Sequence, residues 1–207
     1  MGSWGLAAGC GVLLVALFPR LGLAWLGPLA LVPLLVALDA EPRAGRRFLL
    51  GYIAGCIFWG GTCYWIYDVM RVYGHVPALG SAALFVGFFL VKGLHLGVFG
   101  LLAGPLLDRW WAIPAVAALW TALEGTHPYA GFTWLMLGHA AMDMPVVARL
   151  GPLAGVAAMS FVLAAMNTAV ALAVRRRPRR ELAWAAVLLL LYLLPPLPVA
   201  GPGTRTA

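Results

Sequence analysis

Residues 78–107 read ALGSAALFVGFFLVKGLHLGVFGLLAGPLL, a stretch in which Lys92 is the single charged side chain. A helix crosses the hydrocarbon core of a bilayer with about 20 consecutive apolar residues, because each residue advances the helix by about 1.5 Å. The stretch is therefore long enough to span a membrane even if the helix is tilted, and it predicts a transmembrane helix.

The rest of the 207-residue chain has the same apolar character. Hydrophobic residues make up 63% of it and charged residues 10%, whereas about 25% of the residues in a soluble domain are charged. Further apolar runs occupy residues 4–17, 22–38, 47–68, 111–126, 151–174 and 181–195. We predict an all-α integral membrane protein, a polytopic bundle of about seven transmembrane helices over residues 1–195, followed by a short periplasmic tail at 196–207. Totals of about six or eight spans stay open, because some runs are short.

The basic residues predict how this bundle is oriented, because short loops rich in Lys and Arg remain in the cytoplasm. One side of the predicted bundle carries Arg43, Arg46, Arg47, Arg109, Arg175, Arg176, Arg177, Arg179 and Arg180, and the other carries Arg20, Arg71, Arg149 and Arg205. This asymmetry predicts a cytoplasmic N-terminus and an external C-terminus, with residues 69–77 and 127–150 also outside. The net charge of +7 arises largely in these loops, so we expect no nucleic-acid partner.

Pairs of glycines four residues apart predict that helices approach one another closely. The pairs are Gly51 with Gly55, Gly93 with Gly97, Gly100 with Gly104, and Gly151 with Gly155. They are signals of packing and carry little information about function. No convincing internal repeat accompanies them, so the sequence does not favour an inverted-repeat transporter.

Ionisable side chains at membrane depth are the first candidate functional residues. Lys92 and His95 share one face of the fourth predicted helix, and Glu124 lies near the outer end of the fifth. A charge in a bilayer is costly, so such residues commonly serve a function. A proton path or a lipid-headgroup contact is the functional interpretation. The structural interpretation is that they line a hydrated cavity or pair with one another.

Aromatic residues at the predicted outer interface are the second set of candidates. The segment 124–134 reads EGTHPYAGFTW, and Tyr64 and Trp65 lie at the same predicted level. Aromatic side chains also form belts at membrane interfaces, and that alone would explain them. The sequence has no phosphate-binding glycine loop, zinc-ligand spacing or nucleophile elbow. We therefore expect no cofactor, no metal and no catalytic residue in this stretch of chain.

Short motifs follow one another along nearly the whole chain. They are Phe18-Pro19 with Gly22, Trp25 and residues 31–35; Gly51, Gly55, Trp59 and Tyr64-Trp65; Gly74 and Pro77; Leu119-Trp120 and Glu124; Gly131-Phe132-Thr133-Trp134 and Gly138; and Pro152-Leu153, Gly155-Val156 and Ser160-Phe161. This ordered set resembles the membrane domain of apolipoprotein N-acyltransferases, bacterial enzymes that add the last acyl chain to lipoproteins. Thr133 stands where the family usually has proline, and the family's arginine after the glutamate is missing.

The resemblance implies a multi-pass protein of the bacterial inner membrane. Its partners would be a phospholipid acyl donor and a diacylglyceryl lipoprotein, which is acylated on the amine of its N-terminal cysteine. In that family a Glu-Lys-Cys triad on a periplasmic nitrilase-like domain performs the transfer. No residue here corresponds to the triad, so we expect that domain to be missing from this chain or encoded separately.

The resemblance also suggests residues that line a lipid site. Gly131, Phe132 and Trp134 would form its mouth, Tyr64 and Trp65 would stand opposite, and Glu124 would meet a cationic group. Two other interpretations stay open: a non-catalytic lipid-binding or scaffold protein, and a small-solute transporter or channel that uses Lys92, His95 and Glu124.

Overall fold

The computed structural model describes residues 2–130, 132, 134–175 and 183–195. Within these ranges the chain is helical and contains no strand, which confirms the all-α prediction. The helices are α1 (Ser3–Ala16), α2 (Val32–Ala40), α3 (Ala44–Thr62), α4 (Trp65–Val72), α5 (Ala78–Leu106), α6 (Ala112–Glu124), α7 (Leu137–Ala140) and α8 (Gly151–Val174). Segments of 3₁₀ helix cover Ala24–Leu26, Pro128–Ala130, Ala141–Asp143, Val147–Leu150 and Ala183–Leu193.

Some of these helices have the length and composition of membrane spans. In the described part of the chain, α5 and the continuous helical stretch Val147–Val174 are long and apolar enough to cross a bilayer. The pair α3 and α4 also qualifies if it counts as one span bent by 51°. Helices α1 and α6 are apolar but shorter. The chain is thus a membrane protein. The number of about seven spans stays a prediction. The predicted periplasmic tail at 196–207 lies outside the described residues.

Two predicted helices are interrupted. The expected helix over residues 22–38 is wrong in its first half, because α2 begins only at Val32. Gly22 has a left-handed φ of +60°, and Pro28 and Pro33 each lack the N–H that a preceding helical turn would need. The expected helix over 47–68 ends at Thr62 and resumes as α4 after a bend. Gly60 and Gly61 precede this break and weaken the helix there.

A buried amide supports the irregular backbone that precedes α2. Asn167 on α8 is fully buried. Its Oδ1 accepts a hydrogen bond from the Leu31 N–H at 2.7 Å, and its Nδ2 donates to the Gly27 carbonyl at 2.7 Å. Non-helical backbone is tolerated at membrane depth only where other groups satisfy its N–H and C=O groups. Asn167 therefore explains why this stretch can leave the helical conformation.

Helices α3 and α5 pack with their backbones almost in contact. A Cβ atom on Gly55 would lie 2.8 Å from the Gly93 carbonyl oxygen, and one on Gly51 or Gly100 would clash with backbone of the facing helix. The packing predicted for these glycines is confirmed. The prediction for Gly151 and Gly155 is wrong, because a Cβ on either would meet open space, and Gly155 instead has a φ of +68° inside α8.

Candidate functional site

A mostly apolar cavity of about 470 Å³ lies between the end of α1 and the segment that follows α6. Its wall includes two residues of the first turn, three aromatic side chains predicted from the sequence, and two polar side chains. These are Phe18 and Pro19; Trp65, Phe132 and Trp134; and His139 and Asp143. The structure thus brings together three residues that lie on two separate segments of the sequence.

Phe132 stands at the centre of this aromatic wall. Its ring is stacked with that of Trp65 at a centroid distance of 6.5 Å and meets Trp134 edge-on at 5.5 Å. The Phe132 ring also contacts the rings of Trp59 at 5.3 Å and Phe88 at 5.4 Å between centroids. Aromatic pairs prefer such offset and edge-to-face arrangements. The buried Phe132 ring therefore ties the segment after α6 to α3 and α5.

Helix α7 forms another part of the cavity wall, and two buried side chains hold its first turn. Glu124 Oε1 accepts a hydrogen bond from the Leu137 N–H at 2.6 Å, and the Gly138 N–H donates to Ser160 Oγ at 2.8 Å. His139 Nδ1 accepts a hydrogen bond from the Met136 N–H at 3.1 Å. These bonds satisfy N–H groups at the start of a helix, which have no partner within the helix itself.

Lys92 is buried on α5, with 2% of its surface exposed. Its Nζ lies 3.4 Å from Nδ1 of His127, 4.5 Å from the centre of the Trp59 ring and 5.5 Å from that of Phe132. Burial, followed by the positive charge of Lys92, lowers the pKa of His127 to about 3. His127 is therefore neutral at pH 7, and its Nδ1 can accept a hydrogen bond from the ammonium group.

Glu124 is not the partner of Lys92. The carboxylate belongs with His95 and His127 to the wall of a second, much smaller cavity of about 20 Å³ between α5 and α6. His95 contacts His127 with a distance of 4.6 Å between ring centroids. A pairing of Lys92 and His95 with Glu124 was one expectation from the sequence. In the structure, His127 contacts both Lys92 and His95 and lines the small cavity together with Glu124. Its position three residues after Glu124 in the polar segment was the available signal for it.

Two further residues were predicted to line the lipid site, Tyr64 and Gly131. The Tyr64 ring is half-buried and packs under the Arg20 guanidinium, whose Cζ lies 4.0 Å from the ring centre. Gly131 lies outside the described residues, as does Thr133. No group of three His, Cys, Asp or Glu side chains suited to a metal occurs in the part of the chain that the structure covers.

Comparison with known proteins assigns the family. The sequence-family model of the apolipoprotein N-acyltransferase N-terminal domain matches residues 10–169. The apolipoprotein N-acyltransferase of Geobacter metallireducens is 29% identical over 203 residues, which cover 89% of this chain and 36% of that protein. The Pseudomonas putida enzyme of the same name is 34% identical over 183 residues, or 80% of this chain and 35% of that protein.

A third relative agrees, the apolipoprotein N-acyltransferase of Chromobacterium violaceum, which is 30% identical over 181 residues and covers 85% of this chain. The chain spans about a third of the length of the curated relatives that it matches. The matched region contains both the aromatic cavity and the Lys92–His127 pair. On this agreement between motifs, helices and relatives, the chain belongs to the apolipoprotein N-acyltransferase family, where it corresponds to the N-terminal domain.

Proposed function

We propose that this domain binds the acyl chains of a phospholipid donor and of a diacylglyceryl lipoprotein, and presents them for acylation of the lipoprotein's N-terminal cysteine. Membership of the family supports this role, because the relatives bear the name of that acyl transfer. The observation that carries the proposal is the aromatic cavity. Its wall contains three of the six residues that the family resemblance suggested as lipid-lining, namely Trp65, Phe132 and Trp134. Tyr64 and Glu124 are not part of this wall, and Gly131 lies outside the described residues.

The cavity has the size and chemistry of a lipid site. Small-molecule sites are typically cavities of about 300–1,000 Å³ with apolar walls and a few polar groups that orient the ligand. Here the walls are mainly aromatic and aliphatic, so an acyl chain would be held by removal of its surface from water and by ring contacts. His139 and Asp143 supply polar groups on the same wall. They are suited to the ester or amine end of a lipid.

The proposed orientation brings this cavity to the periplasmic side of the inner membrane. The cavity combines the turn after α1 with the segment 127–150, and the distribution of arginine favours an external position for both. The N-terminus would then lie in the cytoplasm. A nitrilase-like domain, whether continuous with this chain in a longer protein or encoded separately, would meet the bound lipid just above the interface.

Photo-crosslinking tests lipid binding directly. The protein would be reconstituted in nanodiscs of phosphatidylethanolamine and phosphatidylglycerol that carry a diazirine on one acyl chain, and crosslinked peptides would be mapped by mass spectrometry. We expect crosslinks in residues 128–143 that decrease several-fold in Trp65→Ala. The matched control is Trp25→Ala, which removes an exposed tryptophan that does not line the cavity. An equal effect of both substitutions would assign these tryptophans to an interfacial belt and contradict the proposal.

Complementation tests the wider role. A strain depleted of its own apolipoprotein N-acyltransferase would receive this chain, a separately expressed nitrilase-like domain, or both. Growth only with both supports a membrane platform that serves a separate catalytic domain. Growth with this chain alone would contradict our expectation that these residues contain no catalytic set, and no growth with both would favour a non-catalytic lipid-binding or scaffold protein.

A further inference from the structure

The small cavity between α5 and α6 is a polar site that the lipid proposal does not use. Its polar wall consists of His95 on α5, Trp120 and Glu124 on α6, and His127 in the following turn. Apolar side chains, among them Phe99 and Leu123, close the rest of it. It is therefore a small cavity with partly polar walls in an otherwise apolar interface between two helices.

Several polar atoms at this cavity are buried without a hydrogen-bond partner in the described part of the chain. They are His95 Nδ1, Trp120 Nε1 and Glu124 Oε2. Glu124 has 5% of its surface exposed, and its other oxygen is already bonded to the Leu137 N–H. Trp120 and Ser160 both lie beside the carboxylate, yet neither side chain meets Oε2 with hydrogen-bond geometry. Buried polar groups in proteins nearly always have a partner. Three unpartnered atoms on residues that line one cavity therefore indicate a partner inside that cavity.

The required ligand must both accept and donate hydrogen bonds. The Trp120 N–H can only donate, whereas an ionised Glu124 oxygen can only accept. A cation is disfavoured because the indole N–H would point its positive end at the ion. The positive charge of Lys92 also lies close by, since its amine is bonded to His127, which lines the cavity. An anion is disfavoured by Glu124. A volume of about 20 Å³ exceeds the roughly 10–15 Å³ needed for one water molecule.

We propose that this cavity binds one ordered water molecule, which accepts a hydrogen bond from Trp120 Nε1 and donates to Glu124 Oε2 and His95 Nδ1. Three such bonds are typical of buried water in proteins. The water joins α5 to α6 at the residue that also holds the first turn of α7. The water thereby connects His95 on α5 to Glu124. Glu124 in turn holds α7, which forms part of the wall of the aromatic cavity.

Radiolytic footprinting of the unmodified protein in nanodiscs tests the proposal. An X-ray pulse generates hydroxyl radicals from bound as well as bulk water, so a buried side chain is oxidised only when water lies beside it. We expect Trp120 to be oxidised several-fold faster than Trp59. Trp59 is the matched control, because it is fully buried and its Nε1 also lacks a partner. It lines none of the cavities in the described part of the chain, so the room for a water molecule, and not the unpaired N–H, distinguishes the two tryptophans. Equal rates for the two tryptophans would overturn the proposal.

A cavity-filling pair of variants refines the test. Leu123→Phe should displace the water and reduce oxidation of Trp120 to the rate of Trp59, whereas Leu119→Phe, on the same helix but outside the cavity wall, should leave it unchanged. If Leu123→Phe does not fold, the comparison in the unmodified protein still decides. A high-resolution map should show one peak within hydrogen-bond distance of Trp120 Nε1 and Glu124 Oε2. A peak that changes when sodium is exchanged for rubidium would identify a cation and overturn the proposal.

Discussion

The amine of Lys92 lies 3.4 Å from Nδ1 of His127, although 35 residues separate the two along the chain. This contact joins the middle of α5 to the turn after α6, and the ammonium also lies 4.5 Å from the centre of the Trp59 ring and 5.5 Å from that of Phe132. Phe132 in turn lines the aromatic cavity. The position of one cavity wall therefore depends on a buried ammonium group whose hydrogen-bond partner is a neutral imidazole.

Removing His127 should destabilise the protein more than removing Lys92. His127→Leu leaves the buried ammonium without its acceptor, which typically costs about 1–3 kcal/mol. Lys92→Met removes the charge together with its need for a partner, and replacing a buried charged group by an apolar one is often nearly neutral. Thermal unfolding in detergent micelles would measure both variants. The double variant should recover part of the loss in His127→Leu, and strictly additive effects would contradict the pairing.

Glu124 should control the order of α7. Glu124→Ala removes the acceptor of the Leu137 N–H, and a buried donor left without a partner costs about 1–3 kcal/mol. Hydrogen exchange at the Leu137 amide should therefore accelerate by about tenfold or more. Glu124→Gln keeps an acceptor oxygen and should restore most of the protection.

A matched control for this prediction lies one turn earlier on α6. Thr121 Oγ1 donates only within its own helix, to the Ala117 carbonyl at 3.0 Å. Thr121→Ala should leave exchange at Leu137 unchanged. Equal acceleration in Thr121→Ala and Glu124→Ala would mean that general loosening of α6, and not the lost hydrogen bond, is the cause.

The contact between α3 and α5 should be intolerant of a single methyl group. Gly55→Ala places a Cβ against the Gly93 backbone, and such overpacking costs about 1–3 kcal/mol. Gly87→Ala on α5 is the control, because a Cβ there meets open space. Alanine favours a helix over glycine by about 1 kcal/mol, so this variant should keep or raise the melting temperature. A lower melting temperature for Gly87→Ala than for Gly55→Ala would refute the proposed contact.

Asn167 should be essential for the irregular segment before α2. Asn167→Ala leaves the Leu31 N–H and the Gly27 carbonyl without their buried partner, and each such group costs about 1–3 kcal/mol. We expect a large fall in melting temperature and faster exchange at Leu31. The neighbouring Thr168 bonds only to the Ala164 carbonyl of its own helix, so Thr168→Val should have a small effect. Similar losses in both variants would argue against the bridging role.

The membrane character of the chain follows from its sequence for a simple reason. A long apolar run such as 78–107 can satisfy its backbone in a bilayer only as a helix, so composition and length predict α5 without any knowledge of its neighbours. Closely spaced glycines likewise predict tight packing, and the glycines of α3 and α5 do lie where the two backbones approach each other. The same pattern failed at Gly155, because small size permits a close approach but does not require one.

Breaks and pairings depend on groups far away in the chain. Composition alone could not show that Asn167 satisfies the backbone at Gly27 and Leu31, and without that support a helix over 22–38 was the reasonable expectation. The partner of Lys92 was similarly hidden, since Glu124 offered the opposite charge. In the structure His127, and not Glu124, lies beside the ammonium group, and the His127 ring also packs against Trp59.

By itself, then, the sequence determined an all-α membrane protein and the family to which its motifs belong, because apolar length and local residue order are sufficient for both. Only the tertiary structure decided that Trp65, Phe132 and Trp134 surround one cavity and that Lys92 bonds to His127. Those relationships arise where separate helices meet. The energy of such contacts depends on distances that no local pattern along the chain specifies.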